Sequence, residues 1–339
     1  MLAGLLVALT ASLASAGEKP LSWHLAPTGS AARLRGLAAI SDRVAWASGS
    51  LGTVVRTVNR GATWEQVGPP GTQDLQFRDI EAFDADRAVI LSIGSGSDSR
   101  IYWTADAGSH WTLGFVNPDP NAFYDCMTFF DQKRGLALSD PPDGQKFRII
   151  ATDDGGRSWH VVDPAGMPEA LPGEFAFAAS GQCIASDHGH RAWFATGGGA
   201  QARVFRSDDR GQTWTVSATP MPSSPAGGIF ALAFRGQQHG IAVGGDFLAP
   251  TASPNSKAWT SDGGRTWNLA PTPPEYRSGV AWVDGHTAVA VGPSGSDVSY
   301  DAGRSWRKFD SGSFDTVDCA NPNACWASGE QGRAAYLVR

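Results

Sequence analysis

The sequence has no cluster of lysines or arginines. Its 27 basic residues are scattered through 339 positions and outnumbered by 33 acidic ones, for a formal charge of −6. Without a basic footprint, nucleic acid is not an expected partner. Cysteine is scarce, with four in the chain, and none lies in a Cys-x-x-Cys or Cys-x-x-Cys-His arrangement. No glycine fingerprint sits in a βαβ pattern either. Thiol redox chemistry, attached haem and dinucleotide binding therefore lack their carriers, and no cofactor is expected. Long apolar runs are absent too. The most apolar stretch, residues 1–16, is too short and interrupted to span a bilayer, so no transmembrane segment is expected. It ends in Ala14-Ser-Ala16, a small-residue cleavage pattern. That predicts a signal peptide over 1–16, cleavage near Ala16 and an exported mature chain, although the usual basic start is missing. No cysteine adjoins the cleavage site to carry a lipid.

Glycine and tryptophan, by contrast, are plentiful at 41 and 13, which suits many tight turns around aromatic-packed strands. Many of them fall in one repeated octapeptide. It reads Thr57-Val-Asn-Arg-Gly-Ala-Thr-Trp64, Thr104-Ala-Asp-Ala-Gly-Ser-His-Trp111 and Thr152-Asp-Asp-Gly-Gly-Arg-Ser-Trp159. It returns as Ser207-Asp-Asp-Arg-Gly-Gln-Thr-Trp214, Thr260-Ser-Asp-Gly-Gly-Arg-Thr-Trp267 and Ser299-Tyr-Asp-Ala-Gly-Arg-Ser-Trp306. A period of roughly 40–55 residues signals propeller blades or solenoid units. The consensus [S/T]-x-D-x-G-x-[S/T]-W resembles the Asp-box of sialidase-like β-propellers. Short β-rich runs flank each copy, so each is a hairpin turn. The carboxylates Asp106, Asp154, Asp209, Asp262 and Asp301, with Asn59 in the first copy, are expected to accept backbone N–H groups there. The following glycine provides a positive φ, and the tryptophan anchors the outer strand. A residue recurring in every unit is scaffold rather than catalyst.

Six octapeptides define six units, and the chain ends supply a seventh. Residues 34–49 align without gaps to 314–329. The final unit thus has three strands and no outer one, while Leu21-Ser-Trp-His-Leu25 is an outer strand with no unit before it. Completing one with the other closes a ring and leaves only short edges. The predicted fold is all-β, a single seven-bladed propeller over 17–339 with its last blade closed by the N-terminal strand; a monomer is expected.

In the gapless alignment Cys319 and Cys325 occupy the positions of Ala39 and Ala45, facing across a turn, and a disulfide is predicted between them. Cys126 and Cys183 fall on innermost strands of adjacent blades, where a bond and two buried thiols are both open. Cys183-Ile-Ala-Ser-Asp-His188-Gly-His190 has the residue types of a zinc site. Other units place arginine in the same polar turn, however, so no metal is expected.

The start of each innermost strand is a more promising position, because those starts ring one mouth of the central channel. Arg35, Arg78, Asp125, Arg277 and Asp315 occupy this slot. The same face should carry glycine-rich loops and Asp140, Asp143, Asp246 and Asp297. Converging arginines favour a carboxylate-bearing partner; charges that pair off and rim a water-filled channel are the alternative.

Residues 203–214, Gly240-Ile-Ala-Val-Gly-Gly-Asp246, Tyr276-Arg-Ser-Gly-Val-Ala-Trp282 and Ala290-Val-Gly-Pro-Ser-Gly-Ser-Asp297 resemble the photosystem II stability/assembly factor-like propellers. The resemblance covers nearly the whole mature chain. It implies a non-catalytic scaffold that binds a protein partner through an arginine-bearing face, and Arg35, Arg78 and Arg277 are the matching positions. A glycoside hydrolase of the sialidase or glucanase kind is the alternative reading. Sialidases resemble one another in an Arg-Ile-Pro segment, whereas the nearest string here is Phe147-Arg-Ile-Ile150. Of five tyrosines, Tyr300 lies in an octapeptide and Tyr336 on the last strand. A glucanase would need two facing carboxylates, for which Asp140, Asp143, Asp246 and Asp297 are the candidates.

Overall fold

Seven four-stranded antiparallel sheets follow one another along the chain. They are seen in a computed structural model that describes residues 21–339; the expected signal peptide lies outside the described residues. In chain order the blades cover 34–66, 76–116, 124–161, 184–218, 227–269 and 279–310, and each runs strand by strand from the channel outward. The seventh takes three strands from 316–338 and its outermost from Ser22–Leu25, which pairs antiparallel with Ala334–Val338. Trp23 secures this closure by packing on Phe314 and donating its indole N–H to Ser296 of blade 6. The alignment of the chain ends is reproduced in the pairing, with Ala39 opposite Ala45 and Cys319 opposite Cys325.

The octapeptides tie off the two outer strands of blades 1–6, and their side chains act in a relay. In each, the leading hydroxyl accepts the N–H of the glycine four residues on, as from Gly156 to Thr152 at 3.0 Å. It donates in turn to the aspartate Oδ1, as from Ser299 to Asp301 at 2.8 Å. Oδ1 also accepts a backbone N–H, as from Ser305 at 2.8 Å, and Oδ2 accepts that residue's hydroxyl at 2.6 Å. These bonds hold Asp262 down at about 2 even though partial burial works the other way. In the first copy the last bond is reversed: Asn59 Nδ2 donates to Thr63 Oγ1 at 2.8 Å. A difference from the simple reading of the motif is that two successive residues, not one, have positive φ. Arg60, Ala107, Arg210 and Ala302 adopt it directly before the glycine, so the turn's bonding holds side-chain-bearing residues in a region that favours glycine.

Tryptophans join blade to blade. Trp46, Trp193 and Trp326 on second strands are fully buried and donate to carbonyls of the next blade at Asp84, Gly263 and Ser41. The second strands of blades 1 and 6 end in Gly49 and Gly292 because the incoming chain crosses there: a Cβ would lie 2.0 Å from the Arg33 carbonyl oxygen in the first and 2.6 Å from that of Tyr276 in the second. Two disulfides are formed, Cys319–Cys325 within blade 7 and Cys126–Cys183 between the innermost strands of blades 3 and 4.

Candidate functional site at one channel mouth

The innermost strands of blades 1, 2, 3 and 5 each carry a β-bulge near their start. The register skips one residue between Leu34 and Gly36, Phe77 and Asp79, Tyr124 and Cys126, and Ile229 and Ala231. The four unpaired residues are Arg35, Arg78, Asp125 and Phe230. A bulge frees one residue from the ladder and re-aims its side chain, and three of the four are residues that sequence reasoning placed in this slot.

Arg35 and Arg78 line a cavity of about 370 Å³ together with Arg33, Asp315, Phe177, Phe230, Phe247 and Tyr276. The aromatic wall is continuous: Phe177 stacks on Phe230 at 3.8 Å, and Phe230 meets Tyr276 edge-on at 4.8 Å. Arg33, two residues before the slot, is bound to Asp315 through Nε at 2.9 Å and Nη2 at 2.6 Å, and to Glu330 at 3.1 Å. Those carboxylate bonds raise its pKa. Arg78 donates to the Ala178 carbonyl at 2.7 Å and to Gln76 at 2.9 Å. Among the described residues, the Arg35 guanidinium has no hydrogen-bond partner: its Nε is buried and unpaired, and its ion-pair contact with Asp315 is 3.9 Å long. Burial lowers the pKa of Arg35 and brings Arg78 to about 10, so both remain cationic at neutral pH. The cavity therefore presents two partly desolvated positive charges beside an aromatic surface.

The channel beneath it is not an open water-filled bore. Blade 4 has an innermost strand of only three residues, Ile184–Ser186, because the chain before it leaves the sheet and crosses the channel. Ser180 Oγ donates to Ser278 of blade 6 at 2.6 Å. The Gln182 amide donates to Val280 and Val317 of blades 6 and 7, and accepts the Val280 N–H at 3.0 Å. Gly181 passes so close to blade 2 that a Cβ there would lie 2.4 Å from Asp79 Oδ1. Ala178 and Ala179 face the arginine cavity, while Ser180, Gly181 and Gln182 line a separate cavity of about 400 Å³ at the other mouth. The Cys126–Cys183 bond fixes the point where this plug rejoins its blade.

Arg277 does not join the other arginines. The innermost strand of blade 6 has no bulge and begins at Gly279, and the Arg277 N–H goes to Gly244 of blade 5. The side chain, fully buried, runs to Asp297 with two contacts of 2.9 Å and to Glu275 at 2.7 Å. Lys257 reaches the same Asp297 at 2.9 Å, and burial lowers its pKa to about 8. Asp297 is thus enclosed by cations instead of facing the mouth. Asp125 is buried with Oδ2 unpaired. Burial, and then the neighbouring Asp140, raise its pKa well above the usual carboxylate range. Burial likewise brings Asp140 to about 7, although it accepts the Ala176 N–H at 2.7 Å. Asp143 is exposed and caps its own turn through Gln145, and Asp246 caps Leu248. Of the histidine motif, Asp187 accepts N–H groups from Gly189 and Arg191, as a turn would, and Cys183 is committed to its disulfide.

Sequence reasoning missed Arg33, the plug and the aromatic wall. Phe230 could have been found, since it fills in blade 5 the slot held elsewhere by arginine or aspartate.

The ring, its closure and this mouth define a class: seven-bladed propellers with a blind, arginine-bearing cavity at one end. No protein-family profile and no curated protein sequence matches the chain. Solved structures do match in fold. YCF48 bound to a D1 peptide is similar with a TM-score of 0.65 at 14% identity, over 95% of this chain and 96% of that one. YCF48 from Cyanidioschyzon merolae gives 0.67 at 14%, over 93% and 98%. The GH74 enzyme of Niastella koreensis gives 0.61 at 12%, over 92% of this chain but 53% of its own. The chain thus has the fold of the photosystem II stability/assembly factor-like propellers, a fold it shares with GH74 enzymes.

Proposed function

We propose that this chain is an exported, non-catalytic propeller that binds a protein partner at the mouth built by Arg33, Arg35 and Arg78. The observation that carries the reading is Arg35, a half-buried guanidinium at the cavity whose Nε is buried without a hydrogen-bond partner and whose contact with Asp315 is 3.9 Å long. Leaving such a donor unsatisfied costs stability, and a carboxylate from a partner would satisfy it with charge-assisted bonds. Asp315 positions Arg33. Arg277, in this reading, supports the wall by holding the segment that carries Tyr276. One fold neighbour, YCF48, is known bound to a peptide, which supports a peptide-binding use of the architecture. Two disulfides suit an oxidising compartment, and among the described residues no helix is long and apolar enough to cross a membrane.

The test is affinity capture from the native envelope fraction, with the mature chain beside an Arg35→Glu/Arg78→Glu variant whose fold is checked by circular dichroism. A partner retained by the first and lost by the second is expected. No partner for either form would overturn the reading.

A further inference from the structure

Resting on that reading, we infer that the cavity takes the C-terminal end of a polypeptide, recognising the α-carboxylate together with an apolar last side chain. Three features of the site lead there. The first is its floor. Because residues 178–182 close the channel, a chain cannot thread through the ring and must either end in the cavity or insert a side chain from the rim. At about 370 Å³, the cavity is near the small end of ligand pockets, which run about 300–1,000 Å³. That is room for a chain end, not for a loop that enters and leaves.

The second is the pairing of chemistries. Arg35 and Arg78 lie against Phe177, Phe230 and Tyr276 in one enclosure. A C-terminal residue carries its carboxylate and its side chain on the same Cα, so one residue can satisfy both. An internal aspartate or glutamate offers the carboxylate alone and leaves the aromatic wall uncovered. The third is the rim. Phe247 is 47% exposed and Leu248 75% exposed on the blade 5 loop, which Asp246 shapes by accepting the Leu248 N–H. Phe247 carries the cavity wall out to the rim and Leu248 extends it beyond, so an entering chain meets apolar surface on its way in. Capture of a terminal carboxylate is an established recognition mode.

The experiment presents the full mature chain with two random hexapeptide libraries that differ only in ending as a free acid or an amide. Captured peptides are sequenced by mass spectrometry, and Arg35→Gln serves as the site control, with its melting temperature measured to show that it folds. The inference expects acid-library peptides ending in aromatic or large aliphatic residues to be enriched about tenfold to a hundredfold over their amides, as expected for charge-assisted bonds. Arg35→Gln should abolish the enrichment. Equal capture from both libraries through internal Asp or Glu, still dependent on Arg35, would overturn the terminal-carboxylate inference and leave the partner-binding reading standing. No enrichment from either library would also overturn it, and the capture from the envelope fraction would then decide the broader reading separately.

Discussion

Replacing Asp297 by asparagine should destabilise the ring far more than replacing its partner Lys257 by methionine. Asp297 is fully buried and neutralises two cations, accepting from Arg277 Nε and Nη2 and contacting Lys257 Nζ, each at 2.9 Å. Without its charge, Arg277 retains Glu275 and Ser294. Lys257 retains only the Thr272 hydroxyl at 2.6 Å and the face of Trp306. An uncompensated buried charge costs about 3–5 kcal/mol. Lys257→Met removes the surplus cation and leaves the Arg277–Asp297 pair whole, so its cost should be about 1 kcal/mol or less. Urea unfolding followed by tryptophan fluorescence would compare the midpoints at unchanged slope. The pH dependence adds a second check. The folded-state pKa of Lys257 is depressed to about 8, so above that pH the folded protein holds fewer protons than the unfolded chain. Stability then rises with pH from about 8 toward the usual lysine value of about 10.4. The Asp297→Asn deficit should narrow as pH rises toward 8, because loss of the Asp297 charge lowers the Lys257 pKa further and the variant's lysine sheds its proton before the wild-type one does, and Lys257→Met should erase the rise above 8. Equal costs for the two variants would refute this account of the network.

Other expectations concern the disulfides, the buried carboxyls and the turns. Cys126→Ser/Cys183→Ser opens a loop with sequence separation 57 and should cost about 4 kcal/mol, against about 2 for the Cys319/Cys325 pair with separation 6, by denaturant titration. Asp125 and Asp140 have raised pKa values, so the folded state holds protons that the unfolded chain releases. Stability should therefore fall as pH rises from about 4 to 7, and Asp140→Asn should flatten that fall in melting temperature against pH. Ser299→Ala removes a hydroxyl that both accepts from Gly303 and donates to Asp301, and should cost about 1–3 kcal/mol in the same unfolding assay.

The ring was legible because its information is repeated and local. An aspartate, a glycine and a tryptophan at fixed offsets specify one turn, and the matching segments 34–49 and 314–329 disclose the blade that the termini share. The predicted pairing of Cys319 with Cys325 came from the same alignment. The mouth was only half legible. Arg35, Arg78 and Arg277 look equivalent in the string, yet two sit in bulges and the third turns between blades to meet Asp297. A bulge depends on where pairing resumes across the sheet, and no single residue marks it. The plug escaped for a similar reason. Its residues, Ala178-Ala-Ser-Gly-Gln182, carry no motif of their own, and only partners about a hundred positions away draw them across the channel.

The strand Ser22–Leu25 lies in the same sheet as the last strand of the chain. Such a ring has no final form until residues 334–338 have been made: six blades can stack as they emerge, but the seventh stays open at one side. Pairing ends so distant in sequence comes late, since long-range contacts pay their loop entropy first. A protein built this way couples closure of its ring to the arrival of one late strand. A copy that stopped before Ala334 would leave both a missing strand and an exposed edge, the condition under which chains aggregate or are removed.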